Sequence, residues 1–400
     1  MPHQHGGCVY PDAVLSALHA AGSSIEYAWL AWPLRSKRLV MRDPLQAGYV
    51  DRGHIPGTIK VGGWRIRLPG NTRPRTPIGD SEKVEYEPPP TKYEQSFFRK
   101  LVIRIRPKIV LIDFATTLSV LDSLSVEERS ELCVAVLTHN LVFRRTELYR
   151  ERNLPLDFRP LNRVEEATLL RRADVIVAIQ EREAEQFRTL VPDRKVVVVP
   201  MPVQIVRSAS PTNGMPRCLF VGGYSGHNLD GLRWFLADVW PKVLIFHPDA
   251  LFDVVGTVGE AVSAETVRVC VHGAQSDLTE FYARATVCVV PLRFGTGLKI
   301  KLIEAMAHGR AVVSTLAGAE GFPELERGEV ASVAITAAEM ASSIAMLLLN
   351  DVARTEQIER QTVWLNNRFS GAKAVRPLIS LLNGTSKNSL FRDGNISRRR

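Results

Sequence analysis

The residues best equipped for chemistry are packed into one stretch, PLRFGTGLKIKLIEAMAHG, from Pro291 to Gly309. It holds three cations, Arg293, Lys299 and Lys301, one carboxylate, Glu304, and a threonine, Thr296, bracketed by Gly295 and Gly297. A turn this tight excludes ordinary side chains and brings backbone close to whatever binds there. If a helix starts at Leu298, the amides of Gly297, Leu298 and Lys299 point out of its N-terminus, where the helix dipole favours an anion. Amides and lysines suit a diphosphate, and a carboxylate beside them suits the hydroxyls of a sugar. A nucleotide-diphosphate sugar satisfies the whole set. The same residues also fit a plain reading, in which the glycines only turn the chain, the lysines are solvated and Glu304 caps something local.

The elements around the stretch must hold it in place. Val287 to Val290 reads as a strand buried on both faces, and Pro291 ends it because proline has no N–H to donate. Leu298, Leu302, Ile303, Ala305 and Met306 recur at helical spacing, with Gly309 at the position of a C-cap. A second strand, Ala311 to Ser314, is followed by a glycine turn, Gly318 to Gly321. The unit is strand–helix–strand, with its loop at the carboxyl edge where open α/β sheets bind ligands.

The run PLRFGTGLKIKLIEAMAHGRAVVST, followed by GAEGF, resembles the donor-site signature of the family 4 (group 1) glycosyltransferases. The resemblance implies an α/β chain of the GT-B type, two doubly wound Rossmann-like domains facing across a cleft. It also implies transfer of a sugar from a nucleotide-diphosphate sugar to a glycan or lipid-linked acceptor, as in surface polysaccharide biosynthesis, by a retaining route that needs no metal or other cofactor. On the matching positions, Lys299 and Lys301 would meet the diphosphate, Glu304 the ribose and His139, after the strand Leu132 to Leu137, the transferred sugar. Arg293, Gly295, Thr296, Gly297 and Leu298 would line the donor, with Gly223, Gly273 and Ala274 at the ends of two further strands. Gly6 and Gly7 resemble the glycine loop that approaches the phosphates from the first domain, although the strand that should precede it is missing.

Two departures stand out. Many relatives place Arg and Lys where this chain has Gly223, Tyr224 and Ser225, so Lys299 and Lys301 must carry more of the diphosphate's charge. Many also have a second glutamate where Thr296 stands. A catalytically weak paralogue, binding a nucleotide or glycan as a partner subunit, is therefore the alternative. A dehydrogenase is rejected, because no G-x-G-x-x-G follows a strand with an acid about 20 residues on.

The whole chain agrees with a two-domain enzyme. Its 400 residues suit two domains, expected at 1–203 and 217–383, with a hinge at 204–216 and a basic, disordered tail at 384–400. A hydrophobic fraction of 45% and a charged fraction of 23% are those of a globular chain. No apolar run reaches the roughly 18 residues of a membrane span, and the first residues lack the pattern of a signal peptide. The expected location is the cytoplasm, peripheral at the inner membrane face. The net charge of +9 implies an acidic partner, and an anionic membrane surface or the donor explains it without nucleic acid, for which no binding signature is present. Five scattered cysteines read as small buried hydrophobes.

Strands and helices alternate along most of the chain. Helices are expected at Ala13 to Ala20, Lys92 to Ile105, Val164 to Arg172 and Glu181 to Leu190, the glutamates of the last two on solvated faces. Residues 35–95, rich in Pro, Gly and Arg, read as short strands and a mobile loop. Asp277 reads as an N-cap, and the last helix, Ala372 to Leu382, is expected to cross back to the first domain.

Overall fold

The structure is a computed structural model that describes residues 6–28, 40–42, 52–54, 58–61, 64–67, 90–156, 158–206, 215–263 and 266–383. It opens with α1 (Gly6–Ala20) and β1 (Glu26–Ala28), which pairs in parallel with β3 (Arg52–His54). β2 (Val40–Arg42), β4 (Thr58–Val61) and β5 (Trp64–Arg67) form a small antiparallel sheet in the order 2-5-4.

The main sheet of the first half is parallel, β6 (Ile109–Asp113), β7 (Cys133–Thr138), β8 (Val175–Ala178) and β9 (Lys195–Val198), in that order. Helices α2 (Lys92–Ile105), α3 (Val126–Ser130), α4 (Val142–Glu151), α5 (Arg163–Leu170) and α6 (Glu181–Leu190) connect its strands. The boundaries have local causes. Thr91 and Glu94 form a reciprocal capping box at the start of α2, and Arg106 turns left-handed at its end, just before Pro107. All residues of β7 are buried, and they alternate. Val134 and Val136 pack with Phe98, Leu118 and Phe187, while Ala135 and Leu137 pack with Tyr10 and Val14 of α1.

The second half is a six-stranded parallel sheet in the order β12-β11-β10-β13-β14-β15. Its strands are β10 (Arg217–Val221), β11 (Leu251–Val255), β12 (Val269–Gly273), β13 (Val287–Val290), β14 (Ala311–Thr315) and β15 (Ser332–Ala334). Its helices begin with α7 (Gly226–Trp234), α8 (Trp240–Phe246), α9 (Thr279–Arg284) and α10 (Ile300–Ala307). They continue with α11 (Leu316–Ala319), α12 (Pro323–Glu326), α13 (Ala337–Leu349), α14 (Asp351–Arg368) and α15 (Gly371–Asn383). Val287 and Val289 pack with Trp240 and Phe252, and Cys288 and Val290 with Ile303 and Met306, so helices cover both faces. The strand order reverses between β10 and β13, and at such a point the loops after both strands splay apart to leave a crevice. α15 returns to the first half: Val375, Leu378 and Leu381 share a core with Tyr10 and Val14, and Val203 bridges to Ser370.

Several expectations are corrected. Gly6 and Gly7 are not a loop but the first turn of α1, where amides need no intrahelical acceptor and glycine costs only about 1 kcal/mol of chain entropy. The turn at Gly318 is part of α11, held by the Thr315 hydroxyl accepting from the Gly318 amide. Leu278, not Asp277, occupies the N-cap of α9, although the Asp277 carboxylate accepts from the Thr279 amide. Glu165, Glu181 and Glu185 are solvated as expected, whereas Glu166 and Glu183 are buried. Cys133, Cys218, Cys270 and Cys288 lie in strands as free thiols. His5, most of the hinge and the tail from 384 lie outside the described residues, as do 68–89.

Candidate active site

Pro291 to Lys299 form the bend between β13 and α10, and two glycines make it possible. Gly295 has φ of 147° and Gly297 of 73°, conformations that L side chains rarely adopt. A Cβ on Gly297 would sit 2.4 Å from the His139 carbonyl oxygen, so the bend touches the loop after β7 directly. The two halves of the chain therefore meet at the bend.

The Gly297 amide is not free for a ligand, contrary to expectation. It donates to Glu183 Oε1 at 2.8 Å, and the Leu141 amide donates to the same oxygen at 3.3 Å. Burial pushes the Glu183 carboxyl up to about 7, against the pull of the two amides and the Lys299 charge. Lys299 is itself buried rather than solvated; its ammonium donates to the Gly297 carbonyl at 3.1 Å and lies 3.8 Å from Glu320. Burial lowers its pKa, with Glu320 and Glu183 opposing. Of the three amides expected to face the anion, those of Leu298 and Lys299 meet no acceptor among the described residues.

Lys301, the second residue of α10, points a different way. Its ammonium donates to Asn228 Oδ1 and lies 4.9 Å from the centre of the Phe220 ring. Asn228 in turn donates to the Gly223 carbonyl at 2.9 Å. Lys301 thus brings a cation from α10 to the loop after β10, the place where Gly223, Tyr224 and Ser225 supply none. Burial, reinforced by Lys299, lowers its pKa to about 7. Glu304 accepts from the Tyr282 hydroxyl at 3.3 Å. Burial raises its pKa against the effects of Tyr282 and Lys301.

His139 sits at the carboxyl edge of β7. Its Nε2 is 2.6 Å from Asp113 Oδ1, and its ring stacks on Phe114 at 4.0 Å and meets the edge of Tyr10. Arg293 is committed to an ion pair with Asp230. The Thr296 hydroxyl is buried without a partner among the described residues. Leu298 packs against the core. Gly273 ends β12 with φ of 63°, beside Ala274, three strands along from β13. A Cβ on Gly223 would meet nothing nearer than the Thr257 hydroxyl at 4.0 Å. The structure thus places Gly297, Lys299, Lys301 and Glu304 on one bend and its helix, sets the His139 backbone against that bend, and leaves Gly6 and Gly7 inside α1.

Sequence reasoning missed several residues that shape the site. From the first half, Glu183 binds the bend and Tyr149 donates or accepts at His227 Nδ1, 2.9 Å away. Tyr149 also lies so near Gly226 that a Cβ there would be 2.9 Å from its ring. Glu166 accepts from the Val142 and Phe143 amides and so fixes the start of α4. Between the halves lies a cavity of about 310 Å³, bordered by Arg144, Arg152, Gln180, Glu183, Thr296 and Glu320. Among the described residues no cluster of three or more His, Cys, Asp or Glu could hold a metal ion. No helix among them is long and apolar enough to cross a membrane.

Comparison with known proteins bears on this geometry. Residues 215–350 match the family described as glycosyl transferases group 1. An uncharacterized 44.6 kDa protein in the cps region of Klebsiella pneumoniae is 30% identical over 115 residues, covering 26% of this chain and 30% of that protein. The match therefore spans under a third of that relative. Sucrose-phosphate synthase from Thermosynechococcus elongatus superposes with a TM-score of 0.64 at 17% identity, over 94% of this chain and 92% of its own. A variant of TarM from S. aureus, in complex with fondaparinux, alpha-GlcNAc-glycerol and UDP, gives 0.56 at 11% identity, over 73% of this chain and 59% of TarM. HepE from Anabaena, in complex with UDP and glucose, gives 0.53 at 14% identity, over 72% and 82%. Two parallel sheets joined in this order give the chain the GT-B fold, and the half that holds the bend, residues 215–350, is similar to the group 1 glycosyltransferases.

Proposed function

We propose that the chain is a glycosyltransferase of the family 4 kind that moves a sugar from a nucleotide-diphosphate sugar to a glycan or lipid-linked acceptor in surface polysaccharide synthesis. The observation that carries the reading is the convergence at the switch point: α10 starts after β13, and from it the Lys301 ammonium reaches the loop after β10, with the Glu304 carboxylate one turn further along the same helix. In the reaction the bond from the sugar's anomeric carbon to the diphosphate oxygen breaks and the diphosphate leaves with the electron pair. The acceptor hydroxyl bonds to that carbon and gives its proton to the departing diphosphate. Lys301 and the Leu298 and Lys299 amides stabilise the negative charge on the leaving group, an electrostatic contribution that strengthens in a water-poor site. Glu304 holds the ribose hydroxyls and His139, oriented by Asp113, meets the sugar. Retention of configuration, independence from metals and other cofactors, and a hexosyl donor belong to the same proposal. The cps-region relative supports the polysaccharide context, and the UDP complexes of TarM and HepE support a nucleotide sugar as donor. A net charge of +9 supports a cytoplasmic protein peripheral at the anionic membrane surface.

A panel of nucleotide sugars tests the reading. Release of nucleotide diphosphate by the wild type, reduced at least about a hundredfold in Lys301→Ala and Glu304→Ala with the fold intact, is the expected result. Occupation of the Gly297 amide by Glu183 favours a second reading, a catalytically weak paralogue that binds a nucleotide or glycan as a partner subunit. Nucleotide binding with no turnover on any donor would select it.

A further inference from the structure

We propose that Glu183, in the first half of the chain, is a positioning residue that sets the geometry of the 295–299 bend in the second half. The proposal rests on the reading of that bend as the donor site. Glu183 is 4% exposed, and one of its oxygens accepts two N–H groups belonging to opposite halves, Leu141 after β7 and Gly297 in the bend. Its other oxygen has no partner among the described residues, and neither have the Thr296 hydroxyl and the Gln180 oxygen; all three residues line the cavity between the halves.

A buried carboxylate is costly unless it is well bonded, so a helix that only needed to cover this spot would place an apolar side chain there. What the carboxylate adds is direction. Accepting from Gly297 fixes the plane of the Thr296–Gly297 peptide, beside a glycine at φ of 73° whose backbone would otherwise be free to turn, and so helps to orient the Leu298 and Lys299 amides that follow. Its charge also helps to hold the Lys299 ammonium, which donates back to the Gly297 carbonyl. The two peptide groups that flank the Gly297 Cα are thereby each held by an ionisable side chain. The anion site at the start of α10 is thus held in shape from the far side of the cleft before any ligand arrives, and preorganisation of this kind lowers the cost of binding.

The test uses the full-length protein and the variants Glu183→Ala, which removes the acceptor, and Glu183→Gln, which keeps an oxygen in its place. Hydrogen–deuterium exchange over 292–302 is measured without ligand, and UDP and GDP affinities are measured by calorimetry. The expected result is exchange accelerated at least about tenfold in Glu183→Ala and near the wild-type rate in Glu183→Gln. Nucleotide affinity weakens at least about tenfold in the alanine variant and stays within about threefold in the glutamine variant. Should the alanine variant fail to fold, Glu183→Asp, which withdraws the oxygen by one methylene, is expected to accelerate exchange over the same residues.

Unchanged exchange in the alanine or aspartate variant would overturn the proposal. So would an alanine variant that binds nucleotide as tightly as the wild type or more tightly, because the carboxylate would then be competing for the amide. A wild type that binds neither nucleotide refutes the donor-site reading, while the exchange measurement still decides the role of Glu183.

Discussion

Lys301 carries the most specific consequence at the scale of single residues. Its pKa is lowered to about 7 by burial and by Lys299, and a diphosphate placed beside it restores the charged form. Nucleotide diphosphate binding at pH 7.5 is therefore predicted to take up a proton. Calorimetry in two buffers of different ionisation enthalpy measures this uptake, and Lys301→Met is predicted to abolish it. The same shift shapes stability. The folded pKa lies below the ordinary lysine value of 10.5, so the unfolded chain binds more protons between about 7 and 10.5. The Lys301 contribution is present above that window and lost as pH falls through about 7. Glu166 and Glu183 act oppositely: raised from 4.5 to about 7, they favour the fold at low pH and lose that contribution as pH rises through about 7. Melting of the ligand-free protein from pH 7 to 10 should rise less steeply in Lys301→Met than in the wild type. Lys301 and Glu304 could be picked out from the sequence because a lysine and a carboxylate on one helix face need no distant partner to be noticed. Glu183 could not. It sits in the polar run EREAE, and the amide that explains its burial lies 114 residues away.

The strand–bend–helix unit makes its prediction through glycine. Gly297→Ala puts a Cβ 2.4 Å from the His139 carbonyl at a φ of 73°, so the backbone must move. The expected cost is roughly 2–3 kcal/mol of stability, with loss of nucleotide binding. Gly223→Ala, whose Cβ meets nothing nearer than 4.0 Å, serves as the control and is expected to stay within about 0.5 kcal/mol of the wild type in denaturant titrations. The unit was readable because its period changes from a β-branched run to helical spacing across two glycines. The bounds of α2 and α6 agree with the sequence pattern to the residue, at α2 because a capping box and the apolar spacing coincide. α1 and α11 broke the pattern because glycine inside a first turn looks the same in sequence as glycine in a loop.

For the whole molecule, the two parallel sheets follow from the alternation of apolar strands and amphipathic helices, but their mutual placement follows from contacts no local pattern records. Exposed pairs such as Arg182 with Glu320 contribute little across the cleft. The return of α15 matters more, because Val375, Leu378 and Leu381 complete the core around Tyr10 and Val14. Removing α15 takes three buried apolar side chains, worth roughly 1.5–3 kcal/mol each, out of that core, uncovers Tyr10 and Val14, and is predicted to melt the first half before the second. Intrinsic fluorescence and exchange mapping would distinguish the halves. The central claim is that the start of α10 and Lys301 receive the donor's diphosphate. A crystal structure with UDP or GDP bound tests it most directly. The account predicts phosphate oxygens within hydrogen-bond distance of Lys301 Nζ and the Leu298 and Lys299 amides, with the ribose on Glu304. A nucleotide lodged elsewhere, with those amides and Lys301 still lacking a phosphate, would contradict it.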